Sequence, residues 1–169
     1  MKLAIAFASL LLGAPAPAGE HEHPAPSATN PAFEQLKSLA GTWTGKAISE
    51  DGPGSDASVV FKVVAAGSAV HETMFPGTPH EMVNLYHLDG SDVVVTHYCA
   101  GGNQPRMKLA SADGNVLAFR FAGGTNIPKK GSYMHAVTLT LDGGKLVESW
   151  ESVDGGTPVG TARFELTRR

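Results

Sequence analysis

From Gly41 onward the chain is punctuated by short turn segments built on Gly, Asp and Asn, namely EDGPGSD, LDGSD, SADGN, LDGG and VDGG. Between them lie stretches rich in Val, Thr and aromatic residues, where apolar and polar side chains alternate. Asp-Gly and Gly-Gly supply the positive φ angles that tight hairpins require, so each turn implies an antiparallel pair of neighbouring strands. Strands are expected to begin near Thr42, Ala57, Ser68, Glu81, Asp92, Arg106, Val116, Ser132, Lys145 and Thr157. An open sheet of this kind would leave two exposed edges, and closure removes them. The expected fold is therefore all-β: an up-and-down antiparallel β-barrel of about ten strands. One short helix precedes it, with Asn30 as its cap, Pro31 at its first position, and Phe33, Leu36 and Leu39 at helical spacing.

The N-terminus reads as a secretory signal. Lys2 is followed by the apolar run LAIAFASLLLG, too short to span a bilayer, and then by small residues. Cleavage after Ala18 places Ala16 and Ala18 at the small-residue positions, whereas a cut after Ala16 would leave the disfavoured Pro17 just beyond it. The expected organisation is a signal peptide over 1–18, a His-, Pro- and Ala-rich flexible tether over 19–30, and a barrel domain over 31–169. The expected location is periplasmic or secreted. A lone cysteine, Cys99, excludes an internal disulfide framework, so stability must come from packing. A formal net charge of −3 with scattered Lys and Arg argues against nucleic acid as a partner, and no later stretch approaches a membrane span.

Hairpin loops also set register, and register decides which side chains share a face. A two-residue loop at Ala66 and Gly67 pairs Val63 with Val70 and Phe61 with Glu72. The PGTPH connection sets Met74 opposite Met82 and Glu72 opposite Asn84, and the turn over DGSD sets Asn84 opposite His97. Glu72, Asn84 and His97 then form one row, with Met74, Met82 and Cys99 on one side and Val70, Tyr86 and Val95 on the other. Because the flanking rows are apolar and Lys62 takes the opposite face, the row is expected to point inward. A carboxylate, an amide and an imidazole in an apolar cavity can orient the polar group of a small molecule. The same three residues can equally form a hydrogen-bonded network that pins the barrel, or place Glu72 and His97 as an acid/base pair.

The segment FEQLKSLAGTWTG, Phe33 to Gly45, resembles the leading helix and Gly-x-Trp first strand of calycin barrels, the group of lipocalins, fatty-acid-binding proteins and nitrobindin-like haem proteins. The chain is also similar to small exported bacterial lipocalin-like proteins. The resemblance implies that Trp43 closes one barrel end and packs near an Arg of the last strand, Arg163 or Arg168. It implies binding of a small, mainly apolar molecule more than catalysis. The chain departs from the nitrobindin pattern after the Trp strand, where it reads KAISEDGPGS. In that group a late-strand histidine holds haem, and His135, on the inward-reading face of YMHAVTLTL, lies in a comparable region.

Further candidates are less constrained. Cys99 shares the inferred face with His97, and Arg106, with Asn103 and Gln104, follows a Gly-rich loop at the barrel rim. The expected ligand-contacting set is thus Glu72, Asn84, His97, Met74, Met82, Tyr86, Val95, Cys99, Arg106 and His135. Trp150 reads as inward, opposite Val137, which carries Glu148 inward with Arg163 as its cross-strand partner. Yet Phe164 and Leu166 claim the inner face of the last strand, and both patterns hold only with a bulge. Glu148 is therefore left outside the expected site.

Cleavage after Ala18 would expose Gly19-Glu20-His21. A free amine with histidine at the third position can wrap square-planar copper(II) through the amine, two backbone amides and the imidazole of His21. The expected outcome is tight copper(II) binding by protein beginning at Gly19, lost on acetylation of its amine. Unchanged affinity after acetylation, measured by competition with a chromophoric chelator, would remove the mechanism.

Overall fold

The computed structural model describes residues 29–49 and 52–169. The expected signal peptide, its cleavage site, nearly all of the tether and His21 lie outside the described residues. One helix, α1 (Pro31–Ser38), precedes ten strands. They are β1 (Gly41–Ser49), β2 (Gly52–Val64), β3 (Ala69–Met74), β4 (Met82–Asp89) and β5 (Asp92–Tyr98), followed by β6 (Gln104–Asp113), β7 (Val116–Thr125), β8 (Ser132–Asp142), β9 (Lys145–Asp154) and β10 (Thr157–Arg168). Each strand pairs antiparallel with the next, and β10 returns to β1, so the sheet closes into a barrel. The architecture is the all-β, ten-stranded up-and-down barrel with one short helix that the turn spacing implies.

One boundary differs materially. β2 starts at Gly52 rather than near Ala57, because residues first read as turn continue the ladder with β1, Ala47 opposite Ser55. No described helix is long and apolar enough to cross a membrane.

The helix closes one barrel end. Asn30 Oδ1 accepts from the amides of Ala32 and Phe33 at 3.0 and 3.2 Å, satisfying donors that a helix start leaves free. Ala32, Phe33 and Leu36 turn inward, and Leu39 follows them into the core. Trp43 is fully buried beneath, its indole N–H donating to Leu39 O at 2.8 Å. Of the two arginines offered for its partner, Arg168 takes the role. Its guanidinium lies 4.3 Å from the Trp43 ring centroid and donates to Ala40 O and Ser38 O, tying β10 to the end of the helix. Arg163 faces out and pairs with Glu165 at 2.9 Å.

Gly45 lets β1 and β10 approach. A Cβ there would stand 1.9 Å from Glu165 O and 3.0 Å from the Leu166 Cα, both backbone atoms that cannot rotate away. Gly45→Ala should therefore lower stability by about 2–3 kcal/mol or more in urea denaturation, at the upper end of what overpacking usually costs. A loss under about 0.5 kcal/mol, the usual range for neutral surface changes, would show that the seam has slack.

Candidate functional site

Two hairpins assemble the polar row, and a third sets Phe61 beside it. Phe61 stands opposite Glu72, Glu72 opposite Asn84, and Asn84 opposite His97. Met74 pairs with Met82 on the side away from α1, while Val70, Tyr86 and Val95 align on the side toward it. All three polar residues are buried, with relative exposures of 0% for Glu72 and Asn84 and 1% for His97.

A fourth polar residue joins them from β9. Phe164 and Leu166 face the interior, and so do Glu148 and Trp150. One irregularity reconciles the two patterns: Pro158 pairs with Val153 but Gly160 with Ser152, so Val159 is left unmatched. Beyond this bulge Glu148 pairs with Phe164 instead of Arg163. Trp150 stands opposite Val137, as the alternation in β8 and β9 indicates. Glu148 is the functional candidate that sequence reasoning missed, and its only signal was the conflict between the two inward patterns.

Within the cluster, the Tyr86 hydroxyl donates to Glu72 Oε2 at 2.7 Å and the Trp150 indole to Glu148 Oε2 at 3.1 Å. His97 Nδ1 lies 2.7 Å from Asn84 Oδ1, and its ring packs 4.9 Å from that of Trp150. Glu72 Oε1, Asn84 Nδ2, His97 Nε2 and Glu148 Oε1 are buried and find no hydrogen-bond partner in the protein. Groups buried in this way each cost about 1–3 kcal/mol.

Burial shifts their titration. It pushes the Glu72 carboxyl up to about 7, against the opposing pull of Tyr86, Asn84 and Glu148. Burial, then the charge of Glu72, holds Glu148 well above the usual carboxylate range. Tyr86 is raised well above its ordinary value by burial and by both carboxyls. His97 falls to about 4 because its charged form is desolvated. Near neutral pH the imidazole is uncharged, and the carboxyl pair retains a proton.

A cavity of about 280 Å³ opens at the barrel end opposite α1. Met74, Met82, Met134, Phe75, Phe164, Trp150, Ala162, Ala47 and Ile48 give it an apolar wall, with Ser55 at its exposed rim and His97 as its one buried polar side chain. A larger groove of about 550 Å³ lies outside, across Thr44, Lys46, Asp56, Ser58 and Pro76, and shares Phe75 with the inner cavity. Its charged groups are an exposed Lys46–Asp56 ion pair, whereas the inner cavity borders His97, whose Nε2 is buried without a partner in the protein. The inner cavity is therefore the better candidate site. Phe75 separates the two spaces, with a φ of +51° that is unusual for a bulky residue. Its ring packs against Phe164 at 5.6 Å.

The expected residues distribute unevenly. Met74, Met82 and His97 line the cavity, and Asn84 lies beside His97 with Glu72 beyond it, neither bordering the cavity. Tyr86 and Val95 are fully buried one row nearer α1. Cys99 falls past the end of β5 in a turn, where its sulfur accepts the Gly101 N–H at 3.4 Å. Arg106 points outward and pairs with Asp89. Asn103 is buried, and Gln104 is tied to Thr125 and Asn126. His135 sits at a second register shift, between Met134 and Ala136, and stacks on Phe121 with ring centroids 5.4 Å apart. That shift brings Met134, rather than His135, to the cavity. Among the described residues, no three His, Cys, Asp or Glu side chains gather as a metal would require.

No protein-family model matches this chain, and no curated protein matches it.

The carboxyl pair gives stability a pH signature. Glu72, with its pKa raised from 4.5 to about 7, contributes stability that is fully present below about 4.5 and lost as pH rises through about 7. For Glu148 the loss extends higher. His97, lowered from 6.5 to about 4, opposes this only between those two values, since its neutral form is the one that folds. Above about 6.5 nothing offsets the carboxyls, and stability should fall. Glu148→Gln keeps an oxygen for the Trp150 indole and removes the acid. It should be more stable than the wild type by about 1–3 kcal/mol at pH ~9 and differ less at pH ~5, by urea denaturation. Parallel pH profiles for the two proteins would contradict this account.

Proposed function

We propose that this protein is an exported, calycin-like barrel that binds a small, mainly apolar molecule at its open end, with a polar group of that molecule at His97, backed by Asn84 and Glu72. The observation that carries the reading is the cavity of about 280 Å³, walled by methionine and aromatic side chains and ending on the buried polar cluster. An apolar cavity of ~150 Å³ suffices for benzene, so this one suits a body of about two fused rings or a short alkyl chain. The resemblance of Phe33–Gly45 to calycin barrels and the closed ten-stranded architecture support the same reading. Export rests on the signal-like N-terminus.

Binding is favoured over acid/base chemistry because Asn84 stands between Glu72 and His97, and Glu72 does not border the cavity. Haem held by His135 is less favoured, since that ring is stacked on Phe121 away from the lining.

Met82→Trp adds bulk to the cavity wall and leaves the polar cluster in place. It should weaken binding of naphthalene at least about tenfold, a loss of ~1.4 kcal/mol, in calorimetric titration of folded protein. Undiminished affinity would locate binding elsewhere. For the molecule that copurifies from the native host, Glu72→Ala and His97→Ala should each weaken binding, and the double variant should lose less than their sum.

A further inference from the structure

We propose that the cavity selects apolar molecules bearing an uncharged hydroxyl or N–H donor, which His97 Nε2 accepts, and turns away carboxylates. This rests on the binding reading above and names the ligand class for the same site.

Asn84 is held between the His97 imidazole and the Glu72 carboxyl. Its Oδ1 lies 2.7 Å from His97 Nδ1, and Glu72 stands opposite it across the β3–β4 ladder, so the NH₂ end is left for the carboxyl side. Reversing the amide would turn its carbonyl oxygen toward the carboxyl, oxygen against oxygen. Glu72 thus orients Asn84, and Asn84 in turn accepts a proton held on His97 Nδ1. In the neutral ring the other nitrogen, Nε2, is then a bare acceptor.

That acceptor is unusually placed. His97 is 1% exposed, borders the cavity and leaves Nε2 with no partner in the protein. An occupant that donates a hydrogen bond would relieve the unmet acceptor. An occupant that presents only acceptors would meet lone pair with lone pair.

Charge sharpens the selection. Among the described residues, the buried polar and charged ones are Glu72, Asn84, His97, Asn103 and Glu148, with no Lys or Arg among them. A carboxylate entering this chamber would find no cation and would approach two buried glutamates. Protonating His97 to receive it would work against the burial that keeps the ring neutral.

Three ligands of one ring system test the proposal on the full-length exported protein: β-naphthol as donor, naphthalene with no polar group, and β-naphthoate as anion. Calorimetry at neutral pH should give β-naphthol an affinity at least about tenfold above naphthalene, the gain from satisfying one buried acceptor. It should give β-naphthoate the weakest binding of the three. In His97→Phe the ratio of β-naphthol to naphthalene affinity should fall to about one. Should that variant fail to fold, nitrogen NMR of the wild-type His97 ring decides instead, with Nδ1 protonated, Nε2 bare, and the Nε2 resonance moving when β-naphthol is added. Equal binding of all three ligands, tighter binding of β-naphthoate, or the opposite tautomer would overturn the selectivity while leaving the cavity reading intact. Failure of all three to bind would overturn both.

Discussion

Closure of the sheet through β1 and β10 is the constraint from which the interior follows. An open sheet can expose a polar side chain of its covered face near an edge, but a closed barrel has no edge, and alternation sends every second residue inside. Whatever polar chemistry the sequence places at inward positions must then be accommodated there. Four strands send Glu72, Asn84, His97 and Glu148 inward, with Tyr86 and Trp150 donating to the two glutamates. At the other end, the demand is met by apolar packing of α1 and Trp43, so the two ends of one barrel have different roles.

The polar cluster is not explained by stability. Two buried carboxyls whose charges oppose each other, and four polar atoms without partners, are costly in a chain that has no disulfide to reinforce it. An all-apolar interior of the same volume would be cheaper to fold. These costs are concentrated at one place beside a cavity, and under the proposed binding role they are stability traded for recognition.

Much of this was legible in the sequence because turns carry register. The Glu72–Asn84–His97 row follows from the β3–β4 and β4–β5 loops, and the loop before them, though misread, still sets Phe61 beside Glu72. The first loop spans four residues, with Ala65 and Ala66 in the left-handed region, rather than the two expected. Since both versions are centred between Ala66 and Gly67, the pairing of Val63 with Val70 is unchanged. What turn chemistry cannot supply is the position of irregularities within strands. The bulge at Val159 separated Glu148 from the expected cluster, and the shift at Met134 exchanged that residue for His135 at the cavity. Phe75 carried no signal, because its inward course depends on a loop conformation that a pattern of alternation does not encode. Cys99 and Arg106 were assigned by continuing a pattern past the strand end and onto the rim, where alternation no longer governs direction.

The single unmatched residue in β10 acts well beyond its own position. Alternation is a phase, and Val159 advances that phase by one residue for the rest of the strand. Without the advance, Arg163, Glu165 and Thr167 would point inward, and Phe164, Leu166 and Arg168 would point away. The guanidinium that lies over Trp43 and fastens the helix would then face the wrong side of the wall. The seal at the base of the barrel is thus synchronised by a one-residue offset near its mouth, so that the two ends of the molecule share one clock.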